Sequence, residues 1–134
     1  MERLELRPFG PTERLPEVDL DLVGADKWVL TFPMLTAYVG PWGISYAANL
    51  TPDPTGLGTW TKEQFVKTMR SGKHMGADKG RNIAPPMPWF NLQETSETDL
   101  EAIFMYLQSI PPIENKVPEH IKMEDLKADP SLAM

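Results

Sequence analysis

The 134 residues contain no cysteine. Disulfides, thiolate metal sites and cysteine nucleophiles are therefore excluded together. The absence leaves the redox compartment open. No apolar run approaches the length needed to cross a bilayer. No apolar core follows Met1-Glu2-Arg3-Leu4, so the start does not read as a secretory signal. On that basis the product stays in the cytoplasm, or the numbering begins inside a longer or processed chain. There is no G-x-S-x-G, no H-E-x-x-H and no phosphate-cradling glycine loop. Ser71 and the scattered carboxylates have no general base nearby in sequence. Nothing points to hydrolysis or group transfer, and no enzyme activity is expected. No RNA- or DNA-binding motif appears, and the acidic balance argues against nucleic acid as a partner. There is no internal repeat.

What is present suits one domain with a modest core: 41% of residues are hydrophobic. Fourteen prolines and nine glycines point to long, semi-rigid loops. The net charge of −6 is unevenly spread, with −4 in residues 1–60, +4 in 61–90 and −6 in 91–134. The basic centre (Lys62, Lys67, Arg70, Lys73, Lys79, Arg81) either steers an acidic protein partner or is a solvated helix face.

Along the chain, Pro8, Gly10, Pro11 and Pro16 break any early helix. Val18–Val23 alternates apolar and acidic residues, as a short edge strand or extended arm does. A short helix is expected near Pro33–Tyr38, and Gly40-Pro41-Trp42-Gly43 is a turn. Asn49–Gly58 is a rigid proline-glycine loop. A helix follows, with Thr61 as its cap and Gln64 completing a capping box. Phe65, Val66 and Met69 form its inward face, and Gly72 stops it. Residues 73–95 are loop, with one helical turn around Pro88–Leu92. The strongest helix runs from Glu97 to Ser109, capped by Ser96, with Asp99 at its positive end. Leu100, Ile103, Phe104, Leu107 and Ile110 recur at helical spacing, and Pro111-Pro112 ends it. A short helix near Glu119–Ala128 is expected to pack outward.

Several of these segments carry a resemblance. Gly40 through Asp53, Gly58-Thr59-Trp60-Thr61, Arg70 through Gly76, Pro86-Met87-Pro88-Trp89 and the helix from Asp99 to Pro112 follow one another in a single register. Together they are similar to class I c-type cytochromes, of the bacterial monohaem kind, over about residues 38–118. The resemblance implies a mainly α fold with extensive irregular loops: a cytochrome c-like fold lacking a recognisable N-terminal haem-attachment helix. It divides the chain into an extended N-terminal arm (1–37), a cytochrome c-like core (38–118) and a polar C-terminal tail (119–134). The departure is at the front. Covalent haem attachment needs C-x-x-C-H, and residues 1–37 hold neither cysteine nor histidine.

Met87 lies where the family offers an axial thioether to haem iron, and it is the one candidate metal ligand. It also suits a buried methionine that fills a gap. The resemblance places Trp42, Tyr46, Asn49 and Trp60 around haem and its propionates. Without haem, the same aromatics collapse into core. His74 reads as a helix-end contact and His120 as solvated. Asp53 alone falls short of a calcium site and is explained by turn chemistry.

The expected function is a haem-free structural or docking subunit of a membrane electron-transfer complex, respiratory or photosynthetic. Its partners are protein subunits, and no cofactor is expected. Family analogy places it on the periplasmic or extracytoplasmic face, bound to the membrane through partners. The alternative is an electron-transfer cytochrome c whose haem-attachment segment lies upstream of this chain, with Met87 as axial ligand. A binding module for a small apolar ligand in the vacated pocket remains a third reading.

Overall fold

The computed structural model describes residues 18–133. The chain divides into two compact units, one built from residues up to Ala48 together with those from Asn115 onward, the other from Asn49–Glu114. Of the expected N-terminal arm, residues 1–17 lie outside the described residues.

The first unit is a sheet. Strands β1 (Leu30–Thr31), β2 (Ala37–Gly40), β3 (Gly43–Tyr46) and β4 (Ile121–Lys122) pair antiparallel in that order. This four-stranded sheet overturns the expectation of a mainly α fold. The cause is local composition. Thr31, Tyr38, Val39, Ile44 and Tyr46 are β-branched or aromatic, and they suit a pleated, half-buried surface. Pro41-Trp42 joins β2 to β3 as a two-residue turn, with Gly40 opposite Gly43.

The helix expected near Pro33–Tyr38 does not form. Leu35 N–H donates to the Phe32 carbonyl at 2.8 Å, and the chain turns into β2. Val18–Val23 is likewise no strand. Leu20–Leu22 is a 3₁₀ turn, with the Asp21 N–H bound to the Asp19 carboxylate at 2.9 Å. Asp19 competes with the extended conformation by capping its own neighbour.

The second unit is helical and follows the sequence reading in its helix bounds and caps, although Ile103, read with the apolar stripe of the later helix, is exposed. Helix α1 (Lys62–Ser71) begins with the reciprocal Thr61–Gln64 capping box and ends at Gly72, at φ +66°. Helix α2 (Glu97–Ser109) is capped by Ser96, whose hydroxyl accepts the Asp99 N–H at 3.1 Å. The two helices meet through Phe65 and Phe104, with ring centroids 5.4 Å apart. Leu57 completes this buried cluster, flanked by Trp60, Met69 and Leu107.

The C-terminal tail returns to the sheet unit and does not pack outward. Ile121–Lys122 completes the sheet, and the short helix α3 (Met123–Ala128) that follows buries Leu126 completely. Leu126 clusters with Val23, Val39 and Ile44, and Ile121 and Met123 pack against them. Three apolar side chains among charged neighbours suffice to seat this short helix. Gly43 makes the junction feasible. Its φ is +107°, and a Cβ there would lie 1.9 Å from the Ile121 carbonyl oxygen.

Two substitutions test the sheet unit. Leu126→Ala should lower the unfolding free energy by about 2–5 kcal/mol in a denaturant titration, the usual range for emptying a buried leucine site. Gly43→Ala should destabilise as well, because its new methyl meets backbone rather than a movable side chain.

Candidate functional site

The candidate site is built on the C-terminal end of α1. After Gly72 the chain folds back along the helix. Gly76, at φ +64°, comes so close that a Cβ would sit 2.9 Å from the Lys67 Cβ. Lys67 holds this return with an ion pair to Asp78 at 2.8 Å. The pair is largely solvated, so it guides the path more than it stabilises the fold. Lys67 also holds the Asp78 carboxyl below its ordinary pKa, first by hydrogen bonding and then by its charge. The His74 N–H donates to the Arg81 carbonyl at 3.0 Å and closes the return.

The methionine loop comes next, anchored at three places. At its start, the Ile83 N–H donates to the Gly72 carbonyl at 2.8 Å. In its last part, the Trp89 indole covers the bare Cα of Gly72, where a Cβ would lie 2.4 Å from the ring. Beyond it, Gln93 Nε2 donates to the Arg70 carbonyl at 3.0 Å, while the Arg70 guanidinium donates to the Gln93 carbonyl. Met87 lies between these anchors and is 38% exposed. At that exposure Met87 is not a buried side chain.

The other candidates are distributed over both units. Trp60 packs on the Leu57–Phe65–Phe104 cluster and meets the His74 ring edge-on at 5.4 Å. Arg81 Nη2 reaches His74 Nδ1 at 3.4 Å. Asn49 organises its loop. Its Oδ1 accepts the Thr51 N–H at 3.0 Å and the Thr51 hydroxyl at 2.8 Å, and its Nδ2 donates to the Ile113 carbonyl at 2.9 Å. Thr51 Oγ1 in turn accepts the Ile113 N–H at 3.0 Å. In the sheet unit, the Trp42 indole donates to Ser45 Oγ at 3.1 Å, and His120 Nε2 bonds the Trp42 carbonyl at 3.0 Å. His120 is thus tied to the turn rather than solvated. Tyr46 is half-buried, and burial pushes its hydroxyl pKa up.

Asp53 behaves as turn chemistry requires. Thr55 donates to Oδ1 through its hydroxyl at 2.6 Å and its N–H at 2.9 Å. These two bonds, hydroxyl first, hold the exposed carboxyl below its ordinary pKa.

The donors present do not make a haem c site. Covalent attachment needs two thiols, and the chain has none. Among the described residues, no group of three or more His, Cys, Asp or Glu side chains could hold a metal ion. A groove of about 400 Å³ is lined by Lys62, Lys67, Arg70, Glu63, Glu97, Glu101 and Val66. Lys62 and Glu101 pair at 3.2 Å on its wall. Such a charged lining does not suit an apolar macrocycle, and none of Trp42, Tyr46, Asn49, Trp60 or Met87 lines this groove.

No family model matches the chain. Curated proteins do. Over 79 residues, 58% of this chain and 6% of the relative, it is 35% identical to a nicotinate dehydrogenase subunit of Pseudomonas putida. Over 83 residues, 59% of this chain and 17% of the relative, it is 32% identical to the cytochrome c subunit of the quinone alcohol dehydrogenase of Gluconobacter oxydans. The fructose dehydrogenase cytochrome subunit of Gluconobacter japonicus is 32% identical over 62% of this chain and 17% of its own length. The chain is similar to cytochrome subunits of bacterial dehydrogenases. These matches support a cytochrome c-like domain. The matched stretch spans less than a fifth of the length of these relatives.

Sequence reasoning singled out the loop around Met87 but missed what fixes it. Gln93 and Ile113 lie in no motif, Arg70 enters only as part of one, and their roles depend on pairs 23 and 64 residues apart. Gly72 offered the one usable signal, since a bare Cα at a helix end invites a flat ring such as that of Trp89.

Gln93→Ala should speed hydrogen exchange at the Ile83 and Trp89 amides while leaving the α2 interior unchanged. Thr55→Val should raise the Asp53 pKa toward its ordinary value in a carboxyl NMR titration. The sign follows from linkage: a depressed folded pKa favours the fold above the unfolded value, and that contribution fades as pH falls through the depressed one.

Proposed function

We propose that this chain is a cytochrome c-like subunit of a dehydrogenase-linked electron-transfer assembly, where it serves as a haem-free structural or docking subunit. One observation carries the reading: the methionine loop is anchored at three points, yet the sequence holds no thiol to attach haem. The packing of Trp60 into the Leu57–Phe65–Phe104 cluster supports it, because an aromatic freed from a cofactor collapses into core. The names of the relatives support the assembly, and its partners are other protein subunits. The chain performs no catalysis of its own. Family analogy favours the extracytoplasmic side of a bacterial membrane. Among the described residues, no helix is long and apolar enough to cross one.

A second reading is favoured by the exposure of Met87. On that reading the chain is the distal part of an electron carrier, whose haem is attached by a segment outside these 134 residues. Met87 would supply the axial thioether, and Asn49 and Trp60 of the same unit would serve the haem. The cations Lys73, Lys79 and Arg81 would guide an acidic redox partner.

An absorption spectrum of the purified protein separates the two. The structural reading expects colourless protein and a Met87→Ala variant of unchanged spectrum. A Soret band with a sharp reduced α-band, altered in Met87→Ala, would replace it with the carrier.

A further inference from the structure

The hairpin between β1 and β2 runs against ordinary turn chemistry. Its turn is Phe32-Pro33-Met34-Leu35, closed by the Leu35 N–H to the Phe32 carbonyl at 2.8 Å. The Phe32 N–H donates to the Ala37 carbonyl at 2.9 Å just inside it. Leu35 sits at φ +59°, in the left-handed region where glycine or asparagine is usual. The Tyr38 hydroxyl holds it there by donating to the Leu35 carbonyl at 2.9 Å. Burial offsets none of this at the tip, for Met34 is 59% and Leu35 61% exposed. A strained, solvated leucine serves neither the turn nor the core. Strain retained at such a place points to use.

The surroundings say what kind of use. From Trp28 to Pro52 the sequence carries no charged residue. In sequence the charges that bound this stretch are Lys27, before β1, and Asp53, after β3. Lys27 is bound to the Asp21 carbonyl at 2.6 Å. Trp28, 71% exposed, and Val29, 49% exposed, lead into the same strand. An apolar medium can therefore take the hairpin without stripping water from any ion. The turn and the strands that flank it carry no charge of their own, so they offer a protein surface little electrostatic register. A fluid apolar layer requires none, and tryptophan is at home at its boundary. The net charge of −6 disfavours anionic headgroups.

We propose that the β1–β2 hairpin inserts Met34 and Leu35 into the interfacial layer of an uncharged lipid bilayer. The contact is weak and reversible, since two side chains bury little area. It orients the sheet unit at the surface without a spanning segment. This goes beyond the electron-transfer role and stands independently of it.

Flotation of the full chain with phosphatidylcholine vesicles tests the idea. The protein should float with neutral vesicles at low and high salt alike, and less well when phosphatidylglycerol is added at low salt. Met34→Asn with Leu35→Asn should weaken partitioning about tenfold, the scale set by removing two apolar side chains from a partly buried state. Leu35→Asn alone should keep or raise the Tm, because asparagine tolerates positive φ. Failure to float with neutral vesicles, a requirement for anionic lipid, or undiminished flotation of the double variant would each overturn the proposal. So would a lower Tm in Leu35→Asn, which would make Leu35 a packing residue. Saturable binding of the tip to a purified protein without any vesicle association would assign it to a protein surface instead.

Discussion

The methionine loop depends on the bare Cα of Gly72. This residue ends α1 in a left-handed conformation that other side chains enter only with strain. Because it has no Cβ, the Trp89 indole can lie against it. Its carbonyl then receives the Ile83 N–H. Helix termination, ring seating and loop closure thus converge on one atom-sized vacancy. Arg70 and Gln93 close the other side, but they act on a path that Gly72 has already set. Met87 lies on that path, between the Ile83 and Trp89 anchors.

The sheet unit rests on a different constraint. Its strands are short, two to four residues each, and a sheet of that size is marginal alone. It becomes stable by burying Val23, Val39, Ile44 and Leu126 together. Two of those residues, Val23 and Leu126, come from opposite ends of the described chain. Completion of this unit therefore waits for residues 121–126. Contacts so distant in sequence close late, and slowly, in folding.

The helical unit was legible because its signals are local. Thr61 with Gln64, Ser96 with Asp99, and Gly72 each act within four residues, and the sequence shows them directly. The sheet was not legible for the opposite reason. Its strands are too short to display alternation, and although composition marks the turn at Pro41, it suggests the start of a short helix at Pro33, where the chain turns instead. The charged composition of residues 119–134 hid Leu126, since one buried side chain in a short helix leaves no periodic trace. At the candidate site, the loop and Met87 were identifiable by resemblance. Their anchors were not, because hydrogen bonds between a backbone carbonyl and a remote side chain leave no mark in composition.

Asn49 and Thr51 fasten the entrance of the helical unit to its exit at Ile113. A segment whose two ends meet behaves as a cassette. It can be spliced into the connection between two strands of a host without re-threading the sheet. Residues 49–114 occupy such a connection, between β3 and β4. The clasp makes the two ends of the helical portion neighbours, the geometry that insertion of a segment into a surface connection requires.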